Sequence, residues 1–214
     1  MSKKKIFIVF EGIEGSGKTL HSKKIFKYLK KNKIPSIRIR EPGGSPKSEK
    51  IRNLILNSKN NKFHPLTDTL LYLAARNENI QSNFKKFYRK KIIICDRFSD
   101  STIAYQHYGM NIKKNMISFI NKAIVEKYKP DFTFLMILDV NKMKLRINKR
   151  KKLNRYDKLS EKFYKKAQAG FLKIAKRNRG RCVVLDNSTD NPLVEKIILN
   201  KFLRLIKKWT NKQI

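Results

Sequence analysis

The apolar run IFIVF at residues 6–10 leads into EGIEGSGKT at residues 11–19, and a helix-compatible stretch follows. The spacing is Gly12, four residues, then Gly17, Lys18 and Thr19, which is the strand–loop–helix pattern of a phosphate-binding P-loop. Glycines let such a loop turn its backbone N–H groups inward, and the helix N-terminus adds a favourable dipole. On this reading Gly12, Ile13, Glu14, Gly15, Ser16, Gly17, Lys18 and Thr19 hold the phosphates of a nucleotide, which leaves ATPase, GTPase, kinase and motor open. Lys18 reaches the β and γ phosphates, and the Thr19 hydroxyl ligates Mg²⁺. A loop of this kind requires a buried strand before it and a helix after it, so the chain is expected to be α/β.

The rest of the chain repeats that alternation. Apolar runs rich in β-branched or aromatic residues recur at 36–40 (SIRIR), 92–95 (IIIC), 132–138 (FTFLMIL) and 182–185 (CVVL), each separated by a longer stretch with helical patterning. Near-continuous apolar runs suit strands covered on both faces, so a five-stranded parallel sheet in a three-layer α/β/α fold is expected. Phe163, Ala167, Phe171 and Ile174 keep a 3.6-residue period, with Ser160 as cap and Gly180 as stop. Leu193, Ile197, Phe202, Leu205 and Trp209 do the same behind Asn191 and Pro192. The 214 residues, 40% of them hydrophobic, fit one domain spanning 1–214. No apolar run is long enough to span a bilayer, and the opening MSKKKIFIVFEGIEG is too short in its apolar part for a signal peptide. Cys95 and Cys182 sit inside apolar runs, away from any metal-type spacing, and are expected to be buried thiols in a reducing cytoplasm.

In a parallel sheet ligands collect at the carboxyl ends of the strands. The second run ends in REPGGS (40–45), the third in DRFSDSTIAYQ (96–106), and a helix between them carries LLYLAARNE (70–78). Five of the 8 glycines fall at the ends of the first and second runs: Gly12, Gly15 and Gly17 after the first, Gly43 and Gly44 after the second. Tyr72 and Arg76 are four apart on a helix and share a face, an aromatic plane beside a planar donor. Ser101 with Tyr105, and Thr102 with Gln106, form i,i+4 pairs if the segment after Asp96-Arg97 is helical. Arg97 stands where a fixed guanidinium grips a phosphate by two parallel bonds.

Taken in order, FEGIEGSGKT, REPGG, LLYLAARNE and DRFSDSTIAYQ resemble the motifs of the thymidylate kinases, and the resemblance runs through nearly the whole chain. It implies transfer of the ATP γ-phosphoryl group to dTMP, giving dTDP for dTTP synthesis, with Mg²⁺ as cofactor. It places Tyr72 (usually Phe in the family) against the base, Arg76, Thr102 and Gln106 near the base edge, and Tyr105 near the sugar, with Ser101 beside it. Arg97 is assigned to the dTMP phosphate, Glu14 to the acceptor sugar and phosphate, and Pro42 to the loop lining the pocket, to which Arg40 adds a cation. Asp96 orients that site or meets Mg²⁺ through water. The family's homodimers suggest the apolar 111–128 stretch as an interface.

Phosphoryl transfer requires in-line positioning and charge neutralisation more than covalent chemistry. Lys18 and Arg97 supply two catalytic cations. In one branch of the family an arginine inside the P-loop supplies another; in the other branch that position is small and a lid after the fourth strand supplies it. Here the position is Gly15, so the resemblance implies a short helical lid at about 146–158, RINKRKKLNRYDK, as the source. Arg150 and Arg155 are the candidates, with Arg146 next. The 52 Lys and Arg against 16 Asp and Glu give a net charge of +36. These cations are spread from end to end in a chain also rich in Ile and Asn, so a biased coding sequence accounts for them as well as a polyanion partner does. Two rival readings remain: another nucleoside monophosphate kinase, and a nucleic-acid-binding P-loop protein. Tyr72, Arg76 and Gln106 favour thymine over the first. The lack of aromatic residues interleaved with the basic run speaks against the second, so no specific nucleic-acid partner and no membrane partner is expected.

Overall fold

The computed structural model describes residues 5–57, 63–189 and 192–210, with side chains to 207. Five strands, β1 (Phe7–Gly12), β2 (Ser36–Arg40), β3 (Ile92–Asp96), β4 (Phe132–Ile137) and β5 (Cys182–Asp186), form one sheet in the order β2-β3-β1-β4-β5. Every neighbouring pair is parallel. Alternate residues of β1 serve opposite faces, as the two-residue period of a strand demands. Ile8 and Phe10 join α1 (Lys18–Lys31) and α9 (Pro192–Thr210) on one side. Phe7 and Val9 pack on the other with Ile80, Phe84 and Phe98.

That second face is covered by α3 (Pro65–Asn79), α6 (Lys114–Val125) and α8 (Glu161–Arg177), while α2 (Pro46–Asn57) lies on α3. Helix α3 runs through a π-helical turn, Ile80–Phe84, into the short α4 (Lys85–Phe87). A four-residue helix, α5 (Ser99–Thr102), likewise widens into a π-helical segment, Ile103–Gly109, so the segment after Asp96-Arg97 is helical but not a continuous α-helix. Helix α7 (Val140–Asn148) starts on Asp139, whose carboxylate accepts from Asn141 N and Lys142 N.

Several expectations change in detail. The buried stripe of α9 is Val194, Ile198, Phe202 and Ile206, while Leu193 and Ile197 are exposed. Both sets keep helical spacing, and the choice falls to the one that faces the sheet. Asn191 and the Trp209 side chain lie outside the described residues. Ser160 caps α8, its hydroxyl accepting from Phe163 N at 3.2 Å, but the helix ends at Arg177 with Asn178 as its cap, and Gly180 belongs to the 3₁₀ turn beyond. Cys95 is buried, whereas Cys182, at the start of edge strand β5, is only half-buried. The expected helical lid is mostly irregular: Arg146 belongs to the end of α7, Lys149–Arg155 lack helix, and only Tyr156–Lys158 form a 3₁₀ turn.

At the centre of the sheet Phe134 is fully buried and stacks on Phe10 at a centroid distance of 5.1 Å. Phe134→Ala is expected to cost about 3–5 kcal/mol of unfolding free energy, read from urea denaturation.

Candidate active site

The P-loop leaves β1 through Gly12 at φ 139°, where an added Cβ would lie 2.1 Å from the Met136 carbonyl oxygen of β4. Only glycine fits so close to a neighbouring strand. Gly17, at φ 95°, caps α1 and packs against Asn187, whose Nδ2 donates to the Ser16 carbonyl at 2.9 Å. The buried Lys18 Nζ donates to the Ile13 carbonyl and, at 3.2 Å, to Ser16 Oγ. Burial, and after it the positive charge of Arg97, pushes the Lys18 ammonium down to about 7. Thr19 Oγ1 donates to Asp96 Oδ2 at 2.5 Å, so the helix N-terminus and the end of β3 meet.

Beside the P-loop lies a cleft lined by both apolar and polar side chains. Glu14, Pro42, Tyr72, Arg76, Arg97, Ser101, Thr102, Tyr105 and Gln106 all line it, drawn from four separate segments of the chain. Arg97 is the hinge. Its backbone takes φ 70°, the left-handed region, where a non-glycine residue is strained and such strain concentrates at functional sites. Its Nη1 donates to the Gly12 carbonyl at 2.8 Å and to Ser101 Oγ at 3.2 Å, and its Nη2 to Glu14 Oε1 at 2.7 Å and to Tyr105 Oη at 3.2 Å. Burial alone would raise the Glu14 carboxyl, but Arg97 and Lys18 outweigh it and hold the group below the usual carboxylate range. Burial pushes the Tyr105 hydroxyl well up, so it stays protonated and donates to Glu14 Oε2.

The far wall carries the aromatic groups. Tyr72 meets the ring of Tyr156 edge-on at 5.9 Å, and Tyr105 meets the same ring at 6.1 Å. Arg76 is buried and donates to Glu41 Oε2 at 2.7 Å, Asn121 Oδ1 at 2.8 Å and the Phe98 carbonyl at 3.0 Å. The guanidinium therefore braces the pocket as well as lining it. Thr102 is 2% exposed and its hydroxyl has no hydrogen-bond partner.

The lid arginines are not brought together. Arg150 pairs with Asp157 at 2.6 Å, and Arg155 pairs with the buried Asp68 of α3. Arg146 is the one at the P-loop, donating to the Gly15 carbonyl at 3.0 Å and the Asn187 carbonyl at 2.8 Å. Arg40, expected to add a cation to the cleft, is absent from its lining and pairs with Glu49 at 2.9 Å. Arg52 of α2 takes that place, bonded to the Pro42 carbonyl at 2.7 Å.

Sequence reasoning missed Arg52, Asn187, Tyr156 and Glu11. Glu11 carried a signal, a carboxylate at the end of a fully apolar strand. It is buried and accepts from Phe98 N at 2.8 Å, Ser101 N at 3.2 Å and Ser101 Oγ at 2.5 Å, which fixes the turn bearing Arg97. Burial, followed by the charge of Asp100, pushes the Glu11 carboxyl up to about 8. Asn187 and Tyr156 gave no such signal, since neither belongs to a motif.

Among the described residues no three His, Cys, Asp or Glu side chains gather as a metal cluster. Mg²⁺ is commonly held by one or two protein groups together with substrate phosphates and water, and Thr19 with Asp96 is a donor set of that type. Because Glu11 holds a proton that the unfolded chain releases, stability carried by that proton is complete below pH 4.5 and is lost as pH rises to about 8. Glu11→Gln is expected to flatten this slope, so the wild type should lose melting temperature relative to the variant between pH 5 and 8.

The chain matches the family model described as thymidylate kinase over residues 10–198. It is 39% identical over 195 residues to the thymidylate kinase of Sulfurihydrogenibium sp. (strain YO3AOP1), covering 91% of this chain and 95% of the relative. To the thymidylate kinase of Ehrlichia ruminantium (strain Gardel) it is 40% identical over 185 residues, covering 85% and 88%. The crystal structure of thymidylate kinase from Ehrlichia chaffeensis superposes with a TM-score of 0.75 at 33% identity, covering 94% of this chain and 99% of that one. A family match across most of the chain, with a P-loop and an adjoining cleft in one fold, establishes that the chain belongs to the thymidylate kinase family.

Proposed function

We propose that the chain transfers the γ-phosphoryl group of ATP to dTMP, with ATP on the P-loop and dTMP in the cleft beside it. The observation that carries this arrangement is Glu14: a P-loop residue that also lines the cleft and is bonded to Arg97 and Tyr105 there. Donor loop and acceptor cleft thus share a wall, which is what in-line transfer between two bound nucleotides needs.

The roles follow from the groups. Backbone N–H groups of Gly12–Thr19 and the Lys18 ammonium bind the donor phosphates, and Arg97 orients the acceptor phosphate. A monophosphate oxygen is already anionic, so no general base is required. Tyr72 gives the base a ring to stack on. Thr102 offers an unpaired hydroxyl and Arg76 spare N–H groups on its Nη atoms for the base edge, with Gln106 alongside. Tyr105 stands where its ring disfavours a ribose 2′-hydroxyl. Thr19 and Asp96 would hold Mg²⁺, directly or through water, which supplies neutralising charge across the β and γ phosphates when bound. Arg146 steadies the P-loop at Gly15, and Arg150 or Arg155 lends charge to the moving phosphoryl group once released from Asp157 or Asp68.

The exposed apolar side chains of neighbouring α3 and α6 support a homodimer: Phe119 is 78% exposed and Leu70 45%. We place the enzyme in the cytoplasm, where its two free thiols and both nucleotides belong.

A coupled assay with ATP, Mg²⁺ and dTMP, dUMP, dGMP or UMP tests the acceptor: dTMP should give the highest kcat/KM, and a preference for the purine would overturn the reading. Arg97→Ala is expected to lower kcat/KM for dTMP by about 10²–10³-fold. Arg150→Ala or Arg155→Ala should lower kcat by a comparable factor with little change in KM, and full turnover in both would remove the lid from the chemistry. Phe119→Glu should sediment as a monomer where the wild type sediments as a dimer.

A further inference from the structure

Arg38 belongs to none of the motifs, yet it completes a closed ring of hydrogen bonds around the first turn of α1. Thr19 Oγ1 donates to Asp96 Oδ2 at 2.5 Å, and Arg38 Nη2 donates to the same oxygen at 3.2 Å. Arg38 Nε donates to Ser22 Oγ at 3.1 Å, and Ser22 Oγ donates to the Thr19 carbonyl at 3.1 Å. Three elements, α1, β2 and β3, are tied by these four bonds. The β2–β3 register sets Arg38 opposite Ile94, two residues before Asp96, so Arg38 and Asp96 point to the same side of the sheet, toward α1.

A hydroxyl has one proton and two lone pairs. Giving its proton to Asp96 leaves Thr19 Oγ1 with both lone pairs for a cation. That orientation lasts only while the Asp96 carboxylate, 6% exposed, keeps one position. The planar guanidinium of Arg38 supplies the restraint, with Nη2 holding Asp96 and the adjacent Nε holding Ser22. Ser22, fully buried, returns the restraint to the Thr19 backbone.

We propose that Arg38 is a positioning residue for the cation-holding pair Thr19–Asp96, acting through Asp96 and Ser22 to fix the lone pairs of Thr19. The proposal rests on the reading above that Thr19 and Asp96 hold the divalent ion.

The test uses Mn²⁺ as a spectroscopic probe in place of Mg²⁺, titrated into the enzyme–ADP complex and followed by electron paramagnetic resonance, alongside the KM for dTMP. Arg38→Ala is expected to weaken Mn²⁺ binding by about tenfold, the scale of a lost outer-shell partner, while the dTMP KM stays within about twofold. Arg38→Lys keeps the charge but not the pair of fixed donors, and should fall between. Ser22→Ala keeps the ion pair and opens the ring, and should shift Mn²⁺ affinity in the same direction by less. Mn²⁺ affinity that is unchanged or tighter in Arg38→Ala overturns the proposal. If that variant does not fold, unchanged affinity in both Arg38→Lys and Ser22→Ala overturns it. A wild-type complex that binds Mn²⁺ no better than ADP alone would sink the Thr19–Asp96 reading itself, which separates the two failures.

Discussion

The ion pair between Glu14 and Arg97 joins the P-loop to the end of β3, and most of the candidate site is built outward from it. Neither side chain is more than 16% exposed, so each charge depends on the other for its solvation. Removing one partner of such a pair commonly costs about 3–5 kcal/mol, because the remaining charge stays buried. Arg97 also holds the Gly12 carbonyl, Ser101 and Tyr105, so one guanidinium sets the spacing between the P-loop and the wall of the cleft. Its strained backbone is held by Glu11, which receives the N–H groups of Phe98 and Ser101.

Much of the fold was legible because each strand is covered on both faces and reads as an apolar run between helical stretches. The helix faces were less so. Helix α9 carries two apolar stripes one residue apart, and periodicity alone does not say which meets the sheet. The widening of α5 into a π-helical segment was invisible for a similar reason: local sequence does not encode a change of hydrogen-bond register. There Gly109 and Gly170 let the 103–109 segment and α8 approach so closely that a Cβ at either would fall within 2.5 Å of a ring atom.

Residues 146–158 show the opposite case, where composition does not decide contact. Cations dominate residues 146–155, but a cation acts where its partners hold it. Asp68 and Asp157, carboxylates that no motif marks, take Arg155 and Arg150, while Arg146 at the end of α7 reaches Gly15. Tyr156 from the same stretch lines the cleft, its hydroxyl donating to Asp68 at 2.5 Å. The strong net charge is a property of the whole surface and explains none of these contacts.

By itself the sequence determined the P-loop between strand and helix, the alternation of strands and helices, and the residue types that line the cleft. These follow from local rules: glycines where backbone must approach closely, apolar runs where strands are buried, and short motifs at strand ends. Only the tertiary structure decided which charge meets which. Arg76 turned to Glu41, Arg38 to Asp96, and Arg52 took the place expected of Arg40. Ion pairing depends on distances of a few ångströms between segments far apart in the chain, and no periodicity along the chain carries that information.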